Sequence, residues 1–574
     1  MDNRDVAQLL NEIADLLDLQ GVAFKPVAYR RAARNIEDMD QPVADVVAKG
    51  ALRDIPGVGD AIAKKVEEYV QTGKLPYLEK LRSEVPLGLI ELLKVPDIGP
   101  KTAIVLNRDL GITNLQELRE AAENHRLRGH KGFGEKTEEK ILQGINMLQA
   151  KGERMLLGDA LPIAEGIVEY LRANASVEKI SIGGSLRRGK ETIGDIDILV
   201  GDNNPARVMD SFTGHPFVQT VLMKGPTKSS VLLQKGIQVD IRAVETGSWG
   251  AALQYFTGSK EHNVATRKIG VDMGLKLNEY GLFERDSGRK VAGATEEEVY
   301  RALGLTYIEP ELREDGGEIE AAREGRLPRI LEHSSIRGDF HMHTDWSDGG
   351  NRIEDMAARA VSKNYEFIGI TDHSQSLKIA GGLTPDRLRK QIDAVRKAED
   401  ALGGRIRLLS GTEADIKADG SLDFPRPLLK DLDLVIASVH SRFKMPKDEM
   451  TKRVVAAIES GYMDILGHPT GRLIGRRNPY EIDMEKVLDA AAESRVAMEL
   501  NSWKDRLDLA DGHCRMAKAA RVKVAIGTDA HHVDELDFMR LGVITARRGW
   551  LEAGDVLNTM SGKDIVKHLR GRRP

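Results

Sequence analysis

The chain has 574 residues, of which 41% are hydrophobic and 30% are charged, and its formal net charge is −5 at pH 7. This length predicts roughly three to four domains. The charge balance excludes a general attraction to nucleic acid, so any DNA binding must depend on local sites and metals. The single cysteine excludes a disulfide framework and fits a reducing cytoplasm. We expect neither a leader segment nor a membrane-spanning run.

Glycine turns in the N-terminal region predict contacts with the DNA backbone. Residues 1–20 predict an amphipathic helix, and residues 55–63 read apolar-Pro-Gly-apolar-Gly before a second helix, which is the helix-hairpin-helix pattern. Residues 95–103 repeat it, whereas a weaker copy at residues 132–137 lacks the proline and also fits a plain helix connection. Such turns bind phosphate without reading sequence. The predicted DNA-binding residues are Gly57, Gly59, Gly99, Lys101, Gly132 and Gly134.

The first of these turns lies in a segment with a further resemblance. Gly57-Val58-Gly59 and the following run Lys64-Lys65-Val66-Glu67-Glu68-Tyr69 resemble the small lyase domain of the polymerase beta group. The resemblance implies that Lys65 forms a Schiff base with an abasic sugar, supported by Tyr29 and Lys25, which requires a lowered pKa of its amine. Ala61 and Phe24 depart from the family pattern, and a pair of solvated lysines is the alternative.

A glycine-rich turn at residues 183–189 precedes a predicted strand that carries two carboxylates. Residues two apart on a strand share a face, so Asp195 and Asp197 project together while Ile196 and Ile198 face a core. Two carboxylates on one face form half of a site for Mg²⁺ or Mn²⁺. By itself an Asp-x-Asp pair also fits an ordinary surface strand end.

The whole segment, Gly-Gly-Ser-Leu-Arg-Arg-Gly followed by Gly-Asp-Ile-Asp, resembles the nucleotidyltransferase signature of family X DNA polymerases. That resemblance implies a third carboxylate on a neighbouring strand, for which Asp240 has the right alternation, and it extends over roughly the first 310 residues. It implies two Mg²⁺ or Mn²⁺ ions at these aspartates. It also implies nucleotide-binding roles for Ser185, Arg188, Gly194, Tyr255, Phe256, Gly258, Asn263 and Arg267. Within this set, Asn263 and Arg267 would face the minor-groove edge of the nascent base pair.

Beyond residue 335 the sequence changes to a second kind of chemistry. Ten of the 14 histidines lie after residue 330. Short apolar runs end repeatedly in histidine, aspartate or glutamate, and helical patterns separate them, as in a βα barrel whose strand ends share one rim. Such ligands hold Zn²⁺, Mn²⁺ or Fe ions, and clustered ions activate a water and clamp a phosphate in hydrolysis.

These strand-end residues resemble the ligand set of the PHP (polymerase and histidinol phosphatase) domain. The resemblance implies a distorted βα barrel with a cluster of up to three Zn²⁺, Mn²⁺ or Fe ions. The implied ligands are His341, His343, Asp348, His373, Glu413, His440, His468, Asp529 and His531. Glu499, at another strand end, lies outside this pattern, and structural histidines are the alternative.

Together these patterns predict a multidomain protein with an α-helical helix-hairpin-helix region, an α+β nucleotidyltransferase palm and a C-terminal TIM-like PHP barrel. The expected bounds are 1–85 (lyase-like), 86–150 (DNA-binding), 151–245 (palm), 246–310 (nucleotide selection), 311–335 (exposed linker) and 336–574 (barrel).

The resulting hypothesis is a bacterial or archaeal-type family X polymerase that fills short gaps in DNA repair. Its barrel would act as a 3′–5′ exonuclease and at abasic sites. Its expected partners are gapped or primer-template DNA and dNTPs, without a membrane, and we expect a cytoplasmic monomer. The alternatives are a polymerase fused to a phosphomonoesterase, and a DNA-binding repair scaffold with structural metals.

Overall fold

The computed structural model describes residues 3–22, 24–37, 43–85, 89, 92–93, 95, 98–130, 133–152, 154–175 and 177–571. The chain divides into two compact units, Met1–Glu153 and Arg154–Pro574. Across the described ranges, no helix combines the length and the apolar character needed to cross a membrane.

The first unit is helical. Its helices are α1 (Asn3–Leu19), α2 (Lys25–Glu37), α3 (Val43–Ala48), α4 (Asp60–Thr72), α5 (Pro76–Glu84), α6 (Pro100–Leu110), α7 (Leu115–Glu123) and α8 (Glu135–Gly152). The apolar stripe of α1 is fully buried at Leu10 and Ile13, as its spacing predicts. Gly59 and Gly99 stand directly before the first residues of α4 and α6. Both glycine turns therefore open a helix.

The second unit begins with the predicted palm, which contains a five-stranded sheet. Its elements are β1 (Met155–Leu156), α9 (Leu157–Ala175), β2 (Lys179–Ile182), α10 (Gly184–Arg187), β3 (Thr192–Ile193), β4 (Asp195–Gly201), α11 (Ala206–Thr213), β5 (Val218–Lys224), β6 (Lys228–Leu233) and β7 (Gln238–Val244). The strand order is β2-β4-β7-β6-β5, and β4 and β7 are parallel neighbours. The alternating burial of β7 matches a sheet with one covered face.

A smaller α+β segment follows the palm. It contains α12 (Trp249–Thr257), α13 (Lys260–Asp272), β8 (Leu275–Asn278), β9 (Gly281–Glu284), β10 (Lys290–Ala292) and α14 (Glu296–Ala302). The three strands form an antiparallel sheet in the order β10-β9-β8.

Residues 311–335, for which composition predicts an exposed linker, are instead partly folded against this segment. They include α15 (Glu318–Arg323), and Ile319 joins the same apolar core as Val299. Arg313 is fully buried, with its guanidinium 2.6 Å from Glu296. A charge that finds such a partner can be buried, so polar composition did not imply exposure here.

The remaining residues form a barrel of seven parallel strands in chain order. The strands are β11 (Gly338–Asp339), β12 (Phe367–Ile370), β13 (Arg407–Asp415), β14 (Leu434–Ser438), β15 (Ile465–Leu466), β16 (Ala497–Asn501) and β17 (Val524–Gly527). The helices are α16 (Ile353–Ser362), α17 (Pro385–Ala401), α18 (Arg426–Lys430), α19 (Lys447–Glu459), α20 (Met484–Ser494), α21 (Asp511–Ala519), α22 (Met539–Arg548) and α23 (Gly562–Arg570). A parallel bridge between Met342 and Ala530 nearly closes the ring.

The barrel and the palm share an apolar core. Leu507 and Leu541 of the barrel are buried in the cluster that contains Leu157 and Ile193 of the palm. Ion pairs also connect the barrel with residues that precede it, and they include Lys504–Asp159, Arg540–Glu165, Arg472–Glu191 and Arg548–Glu314. The second unit is therefore held by a core that continues across the two domains.

Candidate active sites

The three predicted palm carboxylates lie together on adjacent strands. Asp195 and Asp197 project from β4, and Asp240 stands on β7 directly opposite Asp197 in the parallel register. Burial, followed by the charges of Asp195 and Asp240, raises the pKa of Asp197 to about 7. Three carboxylates crowded in this way disfavour full ionisation unless a cation joins them. The arrangement therefore fits divalent metal binding.

Neighbouring groups shape this carboxylate site. Gln238 donates a hydrogen bond to Asp240 over 2.7 Å, and the Lys228 ammonium lies 3.6 Å from the same carboxylate. Gly184 has a φ of +58°, and a side-chain carbon there would lie 2.1 Å from the Asp197 carboxylate. Only glycine allows the turn to come this close to the carboxylate.

The predicted nucleotide-binding residues surround the carboxylates to different degrees. Ser185 lies on α10 and Gly194 directly precedes Asp195. The Arg188 guanidinium donates to the Thr257 carbonyl (2.5 Å), and a side-chain carbon at Gly258 would lie 3.0 Å from it. The structure thus brings Arg188 to the turn that ends α12.

The aromatic and minor-groove candidates lie on α12 and α13. Tyr255 and Phe256 meet edge to face with ring centres 5.1 Å apart, and the Arg242 guanidinium lies 4.5 Å from the Phe256 ring centre. Asn263 is buried and its amide donates to the Tyr255 carbonyl over 2.7 Å. Arg267 is exposed. Asn263 is therefore engaged within the protein, while Arg267 faces outward.

In the barrel, eight of the nine predicted ligands fall into three groups whose ligand atoms lie within 4.8 Å of one another. The groups are His343 with Asp348, His373 and His531; His341 with His343 and Asp529; and His373 with Glu413 and His440. The ninth, His468, has its Nε2 atom 2.9 Å from the Glu413 carboxylate. The strand ends therefore bring together residues almost 200 positions apart.

Several polar atoms at this centre are buried without a hydrogen-bond partner among the described residues. They are Nδ1 of His343, His373 and His468, and Oε2 of Glu413. His373 Nδ1 and Glu413 Oε2 lie 2.8 Å apart without hydrogen-bond geometry. Orphaned buried acceptors are costly, and imidazole and carboxylate ligands suit Zn²⁺, Mn²⁺ or Fe. The donor set therefore fits metal ions.

Burial and neighbouring charges shift the pKa values of the candidate ligands at the barrel centre. Burial, and then the neighbouring His373 and His531, lower the pKa of His343 to about 3. Burial opposes the charged form of Glu413, but the surrounding histidines outweigh it and hold the pKa of Glu413 well below its ordinary value. Burial also opposes the charged forms of His341, His440 and His531, but the carboxylates around them outweigh it and raise the pKa of each ring, for His440 and His531 to about 9. A metal ion held by these rings would displace their protons, because only the neutral imidazole binds a metal.

Sequence reasoning did not assign the residues that orient these ligands. Glu499 lies 2.6 Å from His341 Nδ1 and accepts a hydrogen bond from the backbone N–H of His468. Asp415 lies 2.9 Å from His440 Nδ1, and Asn501 donates to Asp529. Such outer contacts fix the ring orientation of metal-binding histidines. Their position at the ends of β13 and β16 was the available signal.

The first unit contains the predicted lyase lysine in a cavity of about 800 Å³, which is lined also by Lys25, Tyr29 and Tyr77. The Lys65 ammonium lies 4.4 Å from the Tyr77 ring centre. Burial, and then the charge of Lys25, lower the pKa of Lys65. A lowered pKa is the state that Schiff-base chemistry needs.

The DNA-binding candidates of the first unit occupy helix starts. Gly57 has a φ of +87°, and Gly59 and Gly99 are exposed directly before their helices. Lys101 is exposed in the first turn of α6. Gly134 directly precedes α8, whose first turn donates N–H groups to its carbonyl. Gly132 lies outside the described residues.

The fold and the two clusters define the class: a nucleotidyltransferase of the polymerase beta type joined to a metal-dependent phosphoesterase barrel. Four family descriptions match in chain order: helix-hairpin-helix domain (residues 1–75), SAM-like helix-hairpin-helix tandem (89–146), DNA polymerase beta thumb (252–314) and PHP domain (339–503). The chain belongs to the family X DNA polymerases that carry a PHP domain.

Three relatives illustrate this membership. The DNA polymerase/3′-5′ exonuclease PolX of Bacillus subtilis strain 168 is 39% identical over 99% of this chain and all of its own length. DNA polymerase lambda of Rattus norvegicus is 26% identical over 54% of this chain and 56% of its own. A probable phosphatase of Thermoanaerobacter sp. strain X514 is 31% identical over 41% of this chain and 95% of its own.

Proposed function

We propose that the protein fills short gaps in DNA during repair at the palm site and shortens 3′ ends at the barrel centre. The observation that carries this proposal is the presence of two separate clusters of side chains that suit metal ions. One consists of Asp195, Asp197 and Asp240, and the other is built around Glu413. Membership in a family with a polymerase/3′-5′ exonuclease relative supports both activities.

At the palm site, Asp195, Asp197 and Asp240 would hold two Mg²⁺ or Mn²⁺ ions. When bound, these ions lower the pKa of the primer 3′-hydroxyl and neutralise charge on the triphosphate. Arg188 would bind the triphosphate through its guanidinium, with Ser185 and the Gly194 backbone beside it.

The remaining nucleotide contacts would come from the turn and helices that follow the palm. Tyr255 and Phe256 would abut the deoxyribose, with Gly258 leaving room for Arg188. Arg267 would face the minor groove of the new base pair. Asn263 would act by holding the Tyr255 carbonyl in place.

At the barrel centre, the nine ligands would hold up to three Zn²⁺, Mn²⁺ or Fe ions. Bound ions of this kind activate a water and neutralise a phosphodiester. The chain's own part is to orient the histidines, with Glu499 on His341 and Asp415 on His440. Hydrolysis at abasic sites is a second activity that this centre would support.

The first unit would grip the DNA backbone through its helix-hairpin-helix turns, and Lys65 would act on an abasic sugar. We propose that the protein works as a monomer in the cytoplasm, on gapped or primer-template DNA with dNTPs.

The test uses a 5′-labelled primer in a gapped duplex with Mn²⁺, with and without dNTPs. Wild type is compared with Asp195→Ala/Asp197→Ala and with His341→Ala/His343→Ala, and each double variant serves as the control for the other. We expect the aspartate variant to lose only extension and the histidine variant to lose only shortening. If neither variant changes its assigned activity, both site assignments are wrong.

A second candidate function for the barrel is phosphomonoester hydrolysis, which the match to a probable phosphatase over 95% of its length favours. The reaction product separates the two functions. An exonuclease releases nucleoside monophosphates from an unphosphorylated 3′ end, whereas a phosphomonoesterase releases inorganic phosphate from a 3′-phosphorylated end and leaves the primer length unchanged.

A further inference from the structure

The loop that carries the triphosphate-binding candidates is in contact with the barrel. Gly189 has a φ of +65°, and a side-chain carbon there would lie 2.1 Å from the side chain of Ile544 on α22. On the same helix, Arg548 Nη1 donates to the backbone carbonyl of Arg188 over 2.7 Å. Arg548 is only 6% exposed. The end of α22 therefore packs directly against residues 185–189.

A single carboxylate connects Arg548 with the side chain of Arg188. The same Glu314 oxygen accepts from Arg188 Nε (3.0 Å) and from Arg548 Nη1 (3.0 Å), and Lys190 lies 3.5 Å from the other oxygen. Asp511 holds the far side of Arg548 through two bonds of 2.7 and 3.0 Å. Arg548 is thus fixed at both ends, with one end on the palm loop.

We propose that Arg548, a barrel residue, is a positioning residue for nucleotide binding in the palm. The inference rests on the proposed function, because it takes Arg188 as a triphosphate contact. By supporting the Arg188 carbonyl, Arg548 holds the backbone of the loop. By sharing Glu314, it limits how strongly that carboxylate draws the Arg188 guanidinium away from phosphate.

Loss of the Arg548 side chain has two physical consequences at this loop. The Arg188 carbonyl loses the hydrogen bond that Arg548 donates from the barrel. The backbone of the loop is then expected to shift, because a poorly solvated carbonyl without a donor is unfavourable. Glu314 loses one of its cations, so its attraction falls more heavily on Arg188. Both effects weaken the ground-state binding of a triphosphate and leave the carboxylates on β4 and β7 in place.

The experiment measures single-nucleotide gap filling by the full chain with Mg²⁺, and dNTP binding without DNA. For Arg548→Ala we expect the KM and the Kd for dNTP to rise by about 10-fold, because roughly one charge-assisted hydrogen bond is lost. The kcat should stay nearly unchanged. Arg548→Lys, which keeps the charge but has one donor group, should show a smaller rise. Exonuclease activity of each variant reports that the barrel remains folded.

Arg540→Ala is the matched control, because Arg540 lies on the same helix and pairs across to the palm with Glu165 (2.5 Å). It should leave the KM for dNTP as in wild type. If Arg548→Ala does not fold, Asp511→Asn keeps side-chain volume, releases only the far end of Arg548 and should raise the KM in the same direction.

Three results would overturn the inference. One is an unchanged KM in a folded Arg548→Ala or Asp511→Asn variant. Another is an equal rise in Arg540→Ala, which would indicate a general loosening of the domains. The third is a wild-type chain that neither binds nor uses dNTPs, which would also remove the proposed polymerase function, whereas the first two leave that function standing.

Discussion

Asp197 on β4 and Asp240 on β7 stand directly opposite each other in a parallel pair of strands. This register places the third carboxylate of the palm beside the first two, although Asp197 and Asp240 are 43 positions apart in the sequence. Asp195 projects to the same face as Asp197, because positions two apart on a strand share a face.

Asp240→Asn should therefore reduce primer extension by at least about 100-fold, because it removes a negative charge that a divalent ion requires. Shortening of the primer should remain as in wild type. Asp210→Asn, a change at an exposed aspartate of the same domain, is the control. Primer extension is measured over a range of Mg²⁺ concentrations. If the Asp240 variant extends the primer at the wild-type rate, Asp240 is not part of the site.

Glu499→Gln should weaken metal binding in the barrel and the exonuclease reaction, each by about 10- to 100-fold, as outer-shell changes generally do. The reason is that the carboxylate at 2.6 Å from His341 Nδ1 orients this ring and supports its basicity. Metal content per chain and exonuclease rate are the measurements.

Glu493→Gln, at an exposed position of α20, is the matched control for this change. Primer extension should stay the same in both variants. Full metal content in the Glu499 variant together with wild-type shortening would contradict an orienting role.

Glu296 should make the stability of the protein dependent on pH. Burial would raise its pKa, but Arg313 and Arg187 outweigh burial and lower the pKa from 4.5 to about 2. A carboxylate whose pKa is lowered in the folded state stabilises that state above about pH 4.5, by about 3 kcal/mol here, and this contribution disappears as the pH falls toward 2.

Glu296→Gln should lower the free energy of unfolding by about 3 to 5 kcal/mol at pH 7, because it leaves the buried Arg313 without its counter-charge. The difference from wild type should narrow as the pH falls below about 4.5. Urea unfolding at several pH values measures it. A difference that stays constant from pH 7 to pH 3.5 would show that the ion pair is not its source.

Lys65→Ala should abolish borohydride trapping of the protein on an abasic-site DNA, because the Schiff base forms on the Lys65 amine. Burial and the charge of Lys25 lower the pKa of this amine. Lys64→Ala is the matched control, since Lys64 is the exposed neighbour on the same helix. Equal trapping by both variants would assign the Schiff base to another amine.

The candidate palm carboxylates and barrel ligands could be predicted because short local motifs carry the family resemblance that implies them. Asp195 and Asp197 share a face through strand alternation, and His341 and His343 follow a short buried strand. The folding of residues 311–335 could not be predicted in this way. Their polar composition favours exposure, and only the position of Glu296 provides the partner that allows Arg313 to be buried.

Glu499 shows a second limit of local patterns. A carboxylate at a buried strand end has the same sequence pattern whether it binds a metal ion or orients a histidine that binds the metal ion. Its role depends on which side chains the adjacent strands bring to it, and these are His341 and His468.

The order of the domains, the two chemistries and most of the candidate ligands follow from local sequence motifs and from the family resemblance that these motifs carry. The contact of Arg548 with Arg188 joins residues 360 positions apart. No local preference encodes such a contact. It exists because burial of Leu541 and Leu507 in the palm core fixes the barrel against the loop that contains Arg188, and apolar burial of this kind acts without regard to distance along the chain.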